Sequence, residues 1–114
     1  TLLPLAHEWR KLARRGHEII VCTARVMGPA DYRYLTSRGL FAESVISRAE
    51  GDRTSDDLLK LRALKRYARQ RGISWRRFAQ TSMMFDDNKN VISCLQANGL
   101  PCYDAISINK QLGA

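Results

Sequence analysis

Residues 16–25, GHEIIVCTAR, contain the pattern that decides the fold. Their apolar run, Ile19 to Cys22, is short and continuous, and it ends at Thr23. An amphipathic helix is expected before it, because apolar residues recur with a 3.6-residue period up to Ala13 and Gly16 is a natural helix stop. A continuous apolar strand flanked by helices is typical of a parallel sheet that is covered on both faces.

Strands and helices continue to alternate towards the end of the chain. We predict further strands at 45–46, 82–85 and 101–103, and helices at 30–38, 56–71, 88–98 and 106–112. The order βαβαβαβ predicts an α/β fold with a three-layer, doubly wound parallel sheet and right-handed crossovers, formed by residues 1–114 as a single domain. In the long helix, the expected core stripe consists of Leu58, Leu61, Leu64, Tyr67 and Ala68.

Composition narrows the classes of partner and the compartment. The net charge of +8 favours polyanionic partners such as nucleic acids or phosphorylated substrates. Three widely spaced cysteines without a CxxC pair indicate a reducing compartment, so a cytoplasmic location is expected. No apolar run is long enough to span a bilayer, so no membrane partner is expected.

Polar side chains follow the predicted strands at the end where open parallel sheets bind ligands. The Thr23 hydroxyl, Ala24 and the Arg25 side chain follow the first strand. The Lys60 side chain lies near the start of the long helix, and the adjacent carboxylates of Asp86 and Asp87 follow the third strand. Adjacent carboxylates suit Mg²⁺, while a hydroxyl and backbone N–H groups suit phosphoryl oxygens. The pattern therefore predicts a site for a phosphate and a divalent cation.

Each of these residues also has a purely structural interpretation. A lone Thr after a strand is usually a turn or capping residue. Lys60 alone is most often a solvated helix charge, and residues 86–88 could serve only to cap the next helix. The order and placement of the residues together favour the functional interpretation.

The chain resembles the haloacid-dehalogenase-like (HAD) hydrolase superfamily in three places. HEIIVCTAR is similar to the second motif of that superfamily, ending in Thr23, and MMFDDNKNVI is similar to the fourth, with Asp86 and Asp87. Lys60 stands in place of the third-motif lysine. GDRTSDDLLK further resembles the phosphatase domain of polynucleotide kinase/3'-phosphatase proteins.

The resemblance implies a first strand with two aspartates separated by one residue, and nothing before Thr23 fits it. That strand would lie centrally, between the strands that end at Thr23 and Phe85. Its loss would leave unpaired backbone groups and exposed apolar surface. We therefore expect an N-terminally incomplete chain, inactive alone, whose missing segment or a fused domain is supplied elsewhere.

The implied function is Mg²⁺-dependent hydrolysis of a phosphomonoester through an aspartyl-phosphate. Thr23 and Lys60 would act as catalytic residues, residues 23–25 and Lys60 would bind the phosphate, and Asp86 and Asp87 would bind the metal. A nucleic-acid or nucleotide 3'-phosphate is the favoured substrate, which implies nucleic acid repair. The basic positions of the long helix could contact a phosphate backbone, and so could Arg76 and Arg77 beside Trp75. The simpler interpretations are that the basic helix positions face solvent and that Trp75 packs in the core with Phe78.

Three alternatives remain open. The first is a small-nucleotide phosphatase of the same superfamily. The second is a non-catalytic HAD-like domain used for binding or assembly, which the missing aspartates would explain. The third is a phosphoacceptor signalling domain, in which the acidic pair normally precedes the Thr, whereas here it comes last.

Overall fold

The computed structural model describes residues 4–111, with side chains described for residues 6–111. Helices and strands alternate along the described chain, as α1 Pro4–Arg14, β1 Ile20–Cys22, α2 Pro29–Ser37, β2 Ser44–Ile46, α3 Asp56–Gln70, α4 Trp75–Gln80, β3 Met84–Asp86, α5 Lys89–Ala97, β4 Cys102–Asp104 and α6 Ala105–Gln111. Every predicted element in this range is present, with ends shifted by one or two residues. The predicted last position of the terminal helix, residue 112, lies outside the described residues.

The described chain divides into two compact units, one that contains residues 4–52 and 109–111 and the other formed by residues 53–108. In the first unit, β1 pairs with β2 in parallel, with Val21 opposite Val45. Side chains of α1 are anchored to the backbone near β2: the Trp9 indole N–H donates to the Phe41 carbonyl at 2.9 Å. The residues of β1 are half-buried, so this strand is not covered on both faces as the sequence predicts.

The second unit contains most of the buried apolar side chains of the described chain. Its strands β3 and β4 also pair in parallel, with Phe85 opposite Tyr103, and α5 packs against both α3 and this strand pair. Val91 and Leu95 of α5 are completely buried. Burial of branched side chains of this size contributes about 1.5–3 kcal/mol each to folding, which makes α5 the centre of this unit.

Helix α4 is absent from the sequence-based prediction. It begins after Ser74, whose hydroxyl accepts a hydrogen bond from the Arg77 N–H at 3.1 Å. The Trp75 indole donates to the Asn98 carbonyl at 2.8 Å, and the buried Phe78 ring lies 6.0 Å from Tyr67 and 5.6 Å from Trp75 between ring centroids. The expected packing of Trp75 with Phe78 is confirmed.

The described strands form two separate two-stranded sheets, so the three-layer, doubly wound sheet predicted from the sequence is not shown. The parallel direction of both pairs agrees with the prediction, and the architecture is mixed α/β. Three residues per strand provide few backbone hydrogen bonds, so the order of strands depends on contacts that apolar periodicity does not specify.

One position of the predicted core stripe of α3 is wrong. Leu58 is 41% exposed, whereas Leu61, Leu64, Tyr67 and Ala68 are buried together with Lys60. Lys60 and Leu64 are four residues apart and therefore share a helix face. The inward face of α3 thus begins with a charged side chain.

Candidate active site

Asp86 and Lys60 form a buried ion pair in the second unit. Asp86 is the last residue of β3, and Lys60 lies near the start of α3. The Lys60 Nζ and Asp86 Oδ2 atoms are 2.5 Å apart, and the two side chains are 10% and 4% exposed, respectively. The structural alternative, in which Lys60 is a solvated helix charge, is wrong, because its ammonium group is buried against a carboxylate.

The second oxygen of Asp86 organises the turn that follows the strand. Its Oδ1 accepts a hydrogen bond from the Asn88 N–H at 2.9 Å. Asn88 in turn is the N-cap of α5, since its side-chain oxygen accepts from the N–H groups of Asn90 and Val91. The helix-capping interpretation of residues 86–88 is therefore correct for Asn88, while Asp86 is held in place from two directions.

Cys102 and Asp104 of β4 lie beside Asp86. Asp104 is opposite Asp86 in the strand pair, and its Oδ1 accepts from the N–H of Ile106 at the start of α6. Burial raises the pKa of the Cys102 thiol to about 11, the negative charge of Asp86 acts in the same direction, and Lys60 opposes it. Cys102 is therefore a protonated, buried thiol at neutral pH.

Asp87 is exposed. Within residues 4–111, no three His, Cys, Asp or Glu side chains are grouped so that they could hold a metal ion. A magnesium ion does not require such a group, because it keeps several waters and binds through one or two carboxylates.

The loop after β1, residues 23–25, belongs to the first unit. The Thr23 N–H donates to the Ile46 carbonyl at 2.9 Å, and the Thr23 hydroxyl oxygen accepts from the Arg25 N–H at 3.1 Å. These two N–H groups are therefore engaged within the fold, and the turn role foreseen for Thr23 is present. The hydroxyl hydrogen of Thr23 can still be donated to a ligand.

Arg48 braces this loop and was not identified from the sequence. Its Nε donates to the Ala24 carbonyl at 2.7 Å, and its backbone N–H donates to the Arg25 carbonyl at 3.0 Å. The Arg25 guanidinium, which is 73% exposed, forms an ion pair with Asp31 at 3.1 Å. The position of Arg48 two residues after the end of β2 is the available signal, because residues after neighbouring parallel strands meet at one sheet edge.

The basic positions of α3 and α4 differ in exposure. Arg62, Arg66 and Arg69 of α3 and Arg76 and Arg77 of α4 are exposed. Lys65 instead lies over the Trp75 ring, with its Nζ 5.7 Å from the ring centroid. No helix within residues 4–111 is both long and apolar enough to cross a membrane.

Comparison with known proteins gives one match. The model of the family described as Bacteriophage T5 5'-deoxynucleotidase matches residues 1–114. This chain belongs to that family. No curated protein matches the chain, and no solved structure matches it. The T5 5'-deoxynucleotidase family is a family of nucleotide phosphatases, which agrees with the phosphomonoester chemistry expected from the sequence.

Proposed function

We propose that this protein hydrolyses the phosphomonoester of deoxynucleoside 5'-monophosphates. The proposal is carried by the buried pair of Lys60 and Asp86 at the carboxyl end of a parallel strand, in a chain that belongs to the T5 5'-deoxynucleotidase family. Buried ionisable groups at such a strand end are typical of functional sites, because they are costly to keep there for stability alone.

The family description favours a small nucleotide over a polynucleotide as the substrate. A 5'-deoxynucleotidase acts on a phosphate attached to the 5' carbon of a deoxynucleoside, whereas the resemblance to polynucleotide 3'-phosphatases implies a 3'-phosphate. We therefore prefer the small-nucleotide phosphatase among the alternatives and keep the 3'-phosphorylated oligonucleotide as a comparison substrate.

Asp86 and Asp87 are the proposed ligands of Mg²⁺. Each Asp86 oxygen accepts one hydrogen bond, from Lys60 or from the Asn88 N–H, and a carboxylate oxygen has a second lone pair available. The donor set therefore fits a hard cation that needs few protein carboxylates. When bound, Mg²⁺ would offset the negative charge of the phosphoryl group.

Lys60 has two functions in this proposal. It holds Asp86 in one position and supplies a positive charge near the phosphate, where charge increases during the reaction. In the first unit, considered by itself, the Thr23 hydroxyl and the Arg25 guanidinium are groups that can bind a phosphate, and this role stays a prediction from the sequence. Arg48 positions their loop through the Ala24 carbonyl.

The proposed chemistry is the aspartyl-phosphate route of the HAD superfamily. A carboxylate oxygen attacks phosphorus, the P–O ester bond breaks, and the 5' oxygen of the nucleoside takes up a proton. Water then attacks the acyl phosphate, which releases inorganic phosphate and restores the carboxylate. Residues 1–114 contain no Asp-x-Asp sequence, and the proposal does not assign the attacking carboxylate to a particular residue.

The test is phosphate release by the complete gene product, with and without Mg²⁺. The substrates are the four deoxynucleoside 5'-monophosphates, the corresponding 3'-monophosphates and a 3'-phosphorylated oligonucleotide. We expect Mg²⁺-dependent release from the 5'-monophosphates, with little from the other two classes. Turnover of the oligonucleotide alone would replace this proposal with the 3'-phosphatase, and no turnover of any substrate would favour a non-catalytic binding domain.

A further inference from the structure

Residues 58–85 carry positive charge without any carboxylate. This stretch contains eight basic residues and no Asp or Glu; the basic residues are Lys60, Arg62, Lys65, Arg66, Arg69, Arg71, Arg76 and Arg77. Three of them are engaged within the fold: Lys60 pairs with Asp86, Lys65 lies over Trp75 and Arg71 donates to the Tyr67 hydroxyl.

The other five form what we call the arginine surface: Arg62, Arg66, Arg69, Arg76 and Arg77. All five are exposed, and none forms an ion pair with another described residue. Arg62, Arg66 and Arg69 are like charges on neighbouring turns of one helix. They repel one another at low ionic strength, and binding to a polyanion relieves this repulsion. The charges are thus available to an external partner.

The geometry of α3 and α4 spreads this charge over an extended area. Arg62, Arg66 and Arg69 follow the i, i+4, i+7 pattern of one helix face, and at a rise of 1.5 Å per residue they span about 10 Å. Helix α4 packs against α3 through the contacts of Phe78 with Tyr67 and of Trp75 with Lys65. A row of guanidinium groups of this length exceeds what one mononucleotide phosphate can occupy.

The surroundings of the arginine surface favour nucleic acid over a membrane. The apolar face of α3 is buried in its own unit, through Leu61, Leu64, Tyr67 and Ala68, and the exposed Leu58 alone does not make an apolar face that could insert into lipid. The Trp75 ring is already in contact with Lys65 and Phe78, so it does not offer a base-stacking platform. The remaining mode is contact between arginines and phosphates, which is independent of base sequence.

We propose that the arginine surface docks this protein on the phosphate backbone of double-stranded DNA. Duplex DNA presents one negative charge per roughly 1.7 Å of helix axis, which matches an extended row of guanidinium groups. The choice of DNA rests on the proposed function. Hydrolysis of DNA phosphodiester bonds releases deoxynucleoside 5'-monophosphates when the phosphate stays on the 5' oxygen. Docking would keep the enzyme near the source of its substrate.

The test is binding of a fluorescently labelled DNA duplex, followed by anisotropy over a range of salt concentrations. The variant Arg62→Gln/Arg66→Gln/Arg69→Gln removes three charges from the arginine surface. The control variant Arg14→Gln/Arg15→Gln/Arg33→Gln removes three exposed charges from the first unit. Circular dichroism establishes that both variants are folded, and hydrolysis of a deoxynucleoside 5'-monophosphate is measured separately.

For the wild-type protein, we expect duplex binding that weakens with salt. The surface variant should lower the slope of log affinity against log salt by about 2.7, since each phosphate contact contributes about 0.9, while the control retains most of the slope. Absence of wild-type binding, equal loss in both variants, or tighter binding to an RNA duplex or to phosphatidylserine vesicles would overturn the proposal. Because binding needs no turnover, loss of the proposed hydrolytic function leaves this result interpretable.

Discussion

At the scale of single residues, the ion pair between Lys60 and Asp86 places two opposite charges in the interior of the second unit. Removing either charge from water alone costs several kcal/mol. Here the Nζ–Oδ2 contact at 2.5 Å and the hydrogen bond from the Asn88 N–H offset that cost. The pair is therefore better described as mutually dependent than as a net source of stability.

Lys60→Met tests this dependence. It leaves Asp86 buried without its partner, so we expect the free energy of unfolding to fall by about 3–5 kcal/mol. The double variant Lys60→Met/Asp86→Asn should lose less than the sum of the two single variants, as expected for directly coupled residues. Urea unfolding followed by circular dichroism measures all three. Lys89→Met, at an exposed position of α5, is the control and should change stability by less than about 0.5 kcal/mol.

Additive losses in the double variant would contradict the pairing. Asp86→Asn also affects stability, because this change removes the partner of the buried Lys60 ammonium group. Its stability must therefore be measured before a loss of activity is assigned to chemistry.

Cys102 provides a second test at this scale. Because the pKa of its buried thiol is raised to about 11, little thiolate exists at neutral pH. We expect Cys102 to resist alkylation in the folded protein and to react in denaturant, as measured by mass spectrometry of labelled peptides. The pKa of this thiol is higher in the folded protein than its ordinary value. Its contribution to the free energy of unfolding is therefore fully present below pH about 9 and is lost as the pH rises through about 11. Rapid labelling of Cys102 under native conditions would contradict its burial.

The candidate residues of the second unit could be found from the sequence, but their environment could not. The positions of Asp86 and Lys60 follow from strand ends and helix spacing, which are local features. The inward orientation of Lys60 depends on a carboxylate 26 residues away, and the exposure of Leu58 depends on the same rotation of α3. Periodicity treats a lysine as an outward-facing residue and therefore misplaces both.

At the scale of elements, the turn between β3 and α5 connects the candidate site to the core. Asn88 ends the turn and caps the helix that carries Val91 and Leu95. Because unsatisfied N–H groups at a helix start are costly, this cap stabilises α5 directly.

Asn88→Ala should therefore destabilise the protein by about 1 kcal/mol. The matched change one position earlier, Asp87→Ala, affects an exposed side chain and should stay within about 0.5 kcal/mol. Thermal unfolding of both variants measures the difference. Equal stability of the two variants would show that the cap contributes nothing.

Helix α4 illustrates an element that the sequence did not indicate. It is six residues long, which is too short for a helical period to stand out from the loop around it. Its position depends on ring contacts with Tyr67 and on the hydrogen bond from Trp75 to Asn98, both made with residues distant in sequence. The capping residue Ser74 was the available local signal.

At the scale of the whole molecule, the α/β class and the parallel direction of the strands follow from the alternation of elements, whereas the strand pairing does not. Each observed strand has three residues, and the observed pairs are β1 with β2 and β3 with β4. Apolar runs identify strands but do not specify which neighbour each one chooses. The family match over residues 1–114 indicates a nucleotide phosphatase family, which neither the sequence pattern nor the fold specifies.

If Asp86 takes part in hydrolysis of deoxynucleoside 5'-monophosphates, as proposed, its removal must strongly reduce phosphate release. Turnover by the Asp86→Asn and Asp57→Asn variants of the complete gene product measures this. Asp57 lies in the first turn of α3, and its change to Asn removes the same charge. With both variants shown to be folded, we expect Mg²⁺-dependent phosphate release to fall by at least about 100-fold in Asp86→Asn, the scale for loss of one charge-stabilising group, and to be almost unchanged in Asp57→Asn. A folded Asp86→Asn protein with wild-type, Mg²⁺-dependent turnover would contradict the claim.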